Sequence, residues 1–167
     1  GDERNATSTR VNLGSVFAEL GDFEGAEEAV RAALAGAERM GLHDSASAAL
    51  CNLGHVLAYR GNLGEARLLE QRAIEAFHRH GDQRWEGAAR TYLAKIALLS
   101  SDLAAAARTA HEAAELLSVA PPLRPVARAV EARAMLGQGL AGEALAAAEE
   151  AFAALVTLGA LEEGEAL

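Results

Sequence analysis

The chain has 167 residues and a formal net charge of −9, and its residues are 51% hydrophobic but only 4% aromatic. This length suits one domain of ordinary size with a substantial core. Much of the apolar content is alanine, so we expect a core of closely approaching helices rather than of large side chains. The acidic balance argues against nucleic-acid binding, because contact with phosphates needs a surplus of Lys and Arg.

Membrane insertion and secretion are not expected either. The sequence lacks a run of about 18 apolar residues, and its start, Gly1 to Arg10, is polar, unlike the apolar region of a signal peptide. A single cysteine, Cys51, cannot form an internal disulfide and fits a reducing compartment. We therefore predict a soluble, cytoplasmic chain.

Small residues recur along the chain with a period of 40 residues. The equivalent sets are Gly14, Gly54 and Ala94; Gly21, Gly61 and Ser101; and Ala26, Ala66 and Ala106, with a fourth copy at Ala132, Gly139 and Ala144 after a step of 38. Such a period indicates a repeat architecture, in which each unit buries its apolar face on its neighbours. We predict one repeat domain over 1–167, with repeats at 1–40, 41–80, 81–120 and 121–158 and the start of a further repeat at 159–167.

Each repeat is predicted to hold two antiparallel helices, marked by apolar residues at three- and four-residue spacing. The first helices span Asn5–Leu20, Ser45–Arg60, Glu86–Leu99 and Pro125–Gln138, and the second helices span Phe23–Met40, Leu63–His80, Leu103–Ser118 and Ala141–Leu158. The turns between them are Gly21-Asp22, Gly61-Asn62 and Ser101-Asp102. In these turns glycine suits the left-handed cap, and Asp or Asn caps the next helix.

These residues resemble the tetratricopeptide repeat, whose signature has Leu-Gly in the first helix and an alanine twelve residues later. The matching residues are Leu13-Gly14 with Ala26, Leu53-Gly54 with Ala66, Leu93-Ala94 with Ala106, and Ala132 with Ala144. The period is longer than the usual 34, as in the extended repeats of bacterial regulators and kinesin-light-chain-like adaptors. Arg10, Leu50, Arg90 and Arg128 replace the early tryptophan of the family. The resemblance implies an all-α, right-handed α-solenoid whose concave groove, lined by first helices, holds a peptide or protein segment.

The groove residues follow from that resemblance, which places them on one face of each first helix. The residue after the Leu-Gly position is Ser15, His55, Lys95 and Arg133 in the four repeats, a basic series in an acidic chain. Two residues before the glycine of the Leu-Gly pair, or its equivalent, stand Asn12, Asn52 and Tyr92. Asparagine here resembles the residue with which the family holds a bound peptide backbone, because its amide can both donate and accept hydrogen bonds. Thr91 and Tyr59 complete the predicted partner-binding groove. A solvated helix face is the alternative interpretation of the basic series.

Other motifs give no catalytic, metal or cofactor site. The segment 137–142 matches the dinucleotide pattern GxGxxG, but that pattern needs a preceding strand, and here a helix is predicted. Cys51 is interpreted as a packed residue rather than a nucleophile. Glu131 stands where earlier repeats have leucine, and we interpret it as a sign of a locally rotated helix. The alternative is that Glu131 meets Arg128, Arg133 or solvent.

The leading hypothesis is a non-enzymatic scaffold that binds a protein or peptide, preferably an acidic one, in the groove. A ligand-sensing regulatory domain attached to a kinase, ATPase or DNA-binding domain is one alternative. A self-association module is the other, because the last second helix carries Phe152 and Leu155 with no predicted cover. Glu163-Gly164 echoes Glu86-Gly87 at the start of a repeat, so we interpret the chain as a fragment of a longer bacterial protein.

Overall fold

A computed structural model describes residues 9–158 of the chain, apart from 12, 15 and 19. The described positions between 9 and 18 are helical and form α1. The following helices are α2 (Phe23–Arg39), α3 (His43–Tyr59), α4 (Leu63–His80), α5 (Gln83–Leu99), α6 (Leu103–Leu116), α7 (Arg124–Gly137) and α8 (Ala141–Leu158). A 3-10 turn, Leu117–Val119, continues α6. The described residues include no strand, and the predicted all-α fold of paired helices is confirmed.

Helix boundaries follow the predicted turns closely. The bounds of α4 and α8 are those predicted, whereas α3 and α5 begin earlier than predicted, at His43 and Gln83. The early start of α5 is stabilised by Asp82, whose side chain accepts a hydrogen bond from the Trp85 amide at 3.1 Å.

The chain forms two compact units, Gly1–His80 and Gly81–Leu167, each spanning two predicted repeats. In the amino-terminal unit, α2 packs against α3 and α3 against α4. In the carboxyl-terminal unit, α6 packs against both α5 and α7, α7 packs against α8, and the first helices α5 and α7 also contact each other.

The turns that join the two helices of a repeat have similar backbone conformations in successive repeats. Gly21 and Gly61 have φ angles of +79° and +83°, in the left-handed region that glycine enters without strain. Ser101 takes the same place in the third repeat with φ +60°. Asp22 and Asp102 then accept hydrogen bonds from the backbone amides of Gly25 and Ala105 at 2.9 and 3.1 Å. The predicted capping role of these residues is therefore confirmed.

Alanine forms the layer between helices in the carboxyl-terminal unit. Ala106 of α6 is fully buried in a cluster with Ala97 of α5 and Ala134 of α7. One turn further, Ala110 lies between Ala94 and Val130. Small side chains at these positions allow the three helices to approach closely, as the composition predicted.

We expect Ala106→Leu to destabilise the protein by roughly 1 to 3 kcal/mol, because the added atoms have no space between α5 and α7. Chemical denaturation measures this change in the free energy of unfolding. Ala104→Leu, on the exposed side of the same helix, is the control and should change stability by less than about 0.5 kcal/mol. Equal effects of the two substitutions would mean that α6 is oriented differently.

A buried glutamate in the amino-terminal unit was not predicted from the sequence. Glu70 of α4 is 0% exposed, and neither of its carboxyl oxygens has a hydrogen-bond partner. Burial raises its pKa well above the usual range, and the nearby Cys51 thiol opposes this only in part. Burial also raises the pKa of Cys51, with a further contribution from Glu70. The folded state therefore favours the protonated carboxyl of Glu70.

Glu70 makes stability depend on pH with a defined sign. The folded pKa lies above the unfolded one, so stability is greatest below the unfolded pKa and declines as pH rises towards the folded pKa, by at most about 1.4 kcal/mol per pH unit. We expect Glu70→Gln to flatten this decline and to raise the unfolding free energy most near neutral pH. Glu75→Gln, at an exposed position of α4, should retain the decline. Denaturation measured from pH 4 to 8 tests this, and parallel profiles for the wild type and Glu70→Gln would contradict it.

Candidate partner-binding surface

The amino-terminal unit presents three predicted groove residues on one face of α3. Asn52, His55 and Tyr59 lie three and four residues apart, which places their side chains on the same side of the helix. Asn52 and His55 are half-buried, and Tyr59 is 54% exposed. The structure therefore brings these three residues together on an accessible surface.

Tyr59 is held in place by aromatic contacts. Its ring stacks on Phe23 at the start of α2, with centroids 5.2 Å apart and planes only 4° from parallel. His55 meets Tyr59 edge-on, with centroids 4.9 Å apart. Because both neighbours fix the tyrosine ring, it forms a rigid aromatic contact point of the kind that is common in binding surfaces. Phe23 was not among the predicted site residues, although it opens α2 beside the end of α3.

The carboxyl-terminal unit places the basic residues of the series on two adjacent first helices. Lys95 lies on α5 and Arg133 on α7, and these two helices contact each other. The Lys95 Nζ lies 5.4 Å from the centre of the Tyr92 ring, in a cation–π contact. Leu99 and Leu136, one turn beyond the two basic residues, are 56% and 62% exposed. This surface thus combines positive charge with accessible apolar area.

Half of the other arginines in the described part of the chain are engaged by carboxylates. In the amino-terminal unit, Glu27 binds both Arg31 and Arg60. Hydrogen bonding from Arg31 lowers the pKa of Glu27 more than partial burial raises it, and Arg60 adds to the lowering. By contrast, within the described residues neither Lys95 nor Arg133 forms a salt bridge. Their charges are therefore available to an external partner.

One predicted groove residue, Thr91, does not contribute to this accessible surface. Thr91 is only 5% exposed, and its hydroxyl donates a hydrogen bond to the Gly87 carbonyl at 2.9 Å, so its polar group is used inside its own helix. Asn12 and Ser15 lie outside the described residues. Cys51, on the same face of α3 in the sequence pattern, is fully buried, as expected for a packed residue.

Arginines at the tryptophan position of the repeat bind glutamates in the paired second helix. Arg90 donates to Glu112 at 2.7 Å, and Arg128 donates to Glu150 at 2.6 Å. Both pairs are 22 residues apart and join the two helices of one repeat. The sequence signal for these ion pairs is an Arg followed 22 residues later by a Glu, a spacing that recurs in two repeats.

Glu131 does not mark a rotated helix, contrary to the prediction. It is 2% exposed, close to the 0% of Leu53 at the same position of the second repeat, and its neighbours Val130 and Ala134 are also buried. Its carboxylate accepts hydrogen bonds from Arg128 at 2.5 Å and from His111 Nδ1 at 3.0 Å. Since these two donors satisfy the buried charge, α7 keeps the register of the repeat. Arg133 takes no part in this pairing.

We expect Arg128→Met to destabilise the protein by roughly 2 to 4 kcal/mol, because it leaves a buried carboxylate without its main cation. Arg124→Met is the matched control, since Arg124 binds only the exposed Glu150 and should cost less than about 1 kcal/mol. Glu131→Leu, which restores the residue of the other repeats, should be neutral or stabilising. Denaturation midpoints decide this, and equal losses for the two arginine variants would exclude a special role of Glu131.

The described residues offer no cluster of three or more side chains suited to a metal ion, and none of their helices is long and apolar enough to cross a membrane.

The sequence model of the tetratricopeptide repeat matches residues 5–79. No curated protein matches the chain. The match includes both helix pairs of the amino-terminal unit, and it confirms the predicted resemblance.

The solved structures with similar folds include BtubC and a putative kinesin light chain. The crystal structure of BtubC (BKLC) from P. vanneervenii is 15% identical, with a TM-score of 0.78 over 92% of this chain and 64% of that chain. A Podosopora anserina putative kinesin light chain with nearly identical TPR-like repeats is 17% identical, with a TM-score of 0.75 over 94% of this chain and 77% of that chain. The chain thus spans less than two thirds of BtubC, and these likenesses establish a TPR-like fold.

Proposed function

We propose that this chain, a tetratricopeptide-repeat protein by its match at residues 5–79 and by its TPR-like fold, is a non-catalytic scaffold that binds an acidic peptide or protein segment. The observation that carries the proposal is the pair of accessible cations, Lys95 and Arg133, on the adjacent first helices α5 and α7. Repeats of this family generally mediate protein–protein interactions.

The chemistry of the surface defines the proposed partner. Lys95 and Arg133 attract carboxylates, and the nearby Leu99 and Leu136 favour apolar side chains spaced between them. In the amino-terminal unit, Asn52 offers an amide that both donates and accepts, and Tyr59 offers an aromatic face. The proposed ligand is therefore a segment in which acidic and apolar residues are mixed. The proposed setting is the cytoplasm, where a lone thiol such as Cys51 stays reduced.

A second candidate function is self-association. Exposed apolar side chains on α1 and α8 favour it, including Leu13 and Phe152. Leu155 was expected to be uncovered with Phe152, but it is buried. It does not compete with peptide binding, because it uses other helix faces.

Selection from a random peptide library tests the main proposal. The wild type should enrich peptides that contain Asp or Glu together with Leu or Phe, and their binding should weaken as salt increases. The double variant Lys95→Glu with Arg133→Glu should lose this enrichment and bind the selected peptides about tenfold or more weakly.

A control with the same total change in charge separates local attraction from net charge. Arg79→Glu with Arg108→Glu alters two exposed arginines on second helices and should leave peptide affinity within about twofold. If both double variants weaken binding equally, general charge and not this surface explains the attraction. If neither variant weakens it, the peptides bind elsewhere.

A further inference from the structure

Lys95 and Arg133 occupy the same position of two successive repeats. Each directly follows the small residue of its first helix, Ala94 or Ala132, that takes the place of the repeat glycine. Equivalent positions on neighbouring first helices face the same side of a stack of repeats. Since α5 and α7 contact each other, the two cations lie on one surface of the carboxyl-terminal unit.

This position stays accessible when another first helix packs beside it. Lys95 is only half-buried although α7 contacts α5, and Arg133 is exposed. The direction of Lys95 is also defined, because its Nζ lies 5.4 Å from the centre of the Tyr92 ring, one turn earlier on α5. Leu99, one turn later, is 56% exposed. Helix α5 therefore presents an aromatic ring, a cation and an apolar side chain along one face.

The packing of the two helices sets the separation of the acids that meet both cations. Helices in contact lie about 8 to 10 Å apart, so two carboxylates need a similar separation. In a polyproline II segment, which rises about 3.1 Å per residue with about three residues per turn, side chains three positions apart lie on one side and about 9 Å apart. In a β-strand, side chains on one side are about 7 or about 13 Å apart, and neither spacing fits as well.

A helical segment reaches the same separation only with acids about seven positions apart, at a rise of about 1.5 Å per residue. Such a segment bears the cost of helix nucleation when it binds, since short isolated helices are marginal in water. Polyproline II is already a major conformer of unfolded chains, so a segment in this form loses less conformational entropy on binding. The surface therefore favours the polyproline II form over the helix.

We infer that the segment bound by this surface crosses α5 and α7 in the polyproline II conformation and carries two acidic residues three positions apart. One acid meets Lys95 and the other meets Arg133. The inference rests on the proposed function and deepens it, since it specifies the sequence pattern of the partner. Leu99 lies about 6 Å further along α5 than Lys95, so an apolar residue next to the first acid contacts it.

Peptides of identical composition test the spacing. In one peptide, two glutamates flank a pair of prolines; in the other, the two glutamates are adjacent and the prolines follow them. Both end in leucine. We expect the first peptide to bind the wild type about fivefold or more tightly in calorimetric titrations at low salt. Prolines hold the polyproline II form and are incompatible with a helix interior. A third peptide, rich in alanine with glutamates seven positions apart, represents the helical alternative and should bind more weakly than the first.

Charge exchange assigns each acid to one cation. Lys95→Glu and Arg133→Glu should each weaken binding of the first peptide about tenfold. Replacing one glutamate of the peptide by lysine should restore binding to only one of these variants, within about threefold of the wild-type affinity, and replacing the other glutamate should restore only the second variant. Arg79→Glu, an exposed position of α4, is the matched control and should bind the first peptide like the wild type. Circular dichroism verifies that each variant is folded.

Three results would overturn the inference while leaving the proposed function in place. Equal affinity of the two proline peptides, with binding that still weakens as salt increases, would mean that the surface attracts acids without a defined spacing. Tighter binding of the alanine-rich peptide would show that the partner is helical. Rescue of both variants by the same exchanged peptide would mean that the cations are not read one by one. By contrast, if acidic peptides selected from the library also fail to respond to Lys95→Glu and Arg133→Glu, the proposed function falls together with this inference.

Discussion

The close contact between the two helices of a repeat is the constraint on which the remaining structure depends. A Cβ atom at Gly14 would lie 2.2 Å from Val30 Cγ2, and one at Gly54 would lie 2.7 Å from Glu70 Oε1. In the third repeat, Ala94 meets the smaller Ala110 instead. The sizes of the facing residues therefore compensate each other, because glycine accommodates a larger residue opposite and alanine accommodates alanine. With few aromatic residues available, this fit keeps the helices close enough to bury a core.

Two glutamates, Glu131 and Glu70, are buried between the packed helices, and they differ in their hydrogen-bond partners. Glu131 finds Arg128 and His111 as hydrogen-bond donors, and α7 keeps its register. Glu70 finds no donor for either oxygen, so its proton is retained instead. The difference arises from the partners of the two carboxyl groups, since the two glutamates are similarly buried. Arg128 lies one turn before Glu131 on the same helix, and His111 lies on α6. The absence of a cation beside Glu70 is therefore what links its burial to a dependence of stability on pH.

The sequence predicts most of the fold because its strongest signals are local. The Gly-Asx turns and the alanine phases define the helix pairs, and the bounds of α4 and α8 agree with the prediction. The prediction is wrong for Glu131 because one of its partners, His111, lies on another helix and is brought near only by packing. In the candidate site, the accessibility of Tyr59 follows from the repeat pattern. The burial of Thr91 does not, because it depends on how tightly α5 packs.

The distribution of charge explains how an acidic chain keeps a locally basic surface. Carboxylates on second helices, such as Glu112 and Glu150, bind arginines at the tryptophan position of first helices and are thereby neutralised in part. Lys95 and Arg133 lie one turn or more beyond those arginines, outside these pairs. Since the carboxylates already have cations of their own, they compete less for Lys95 and Arg133. An external carboxylate at this surface therefore meets positive charge that the chain itself has not neutralised, and the acidic remainder of the chain disfavours approach elsewhere.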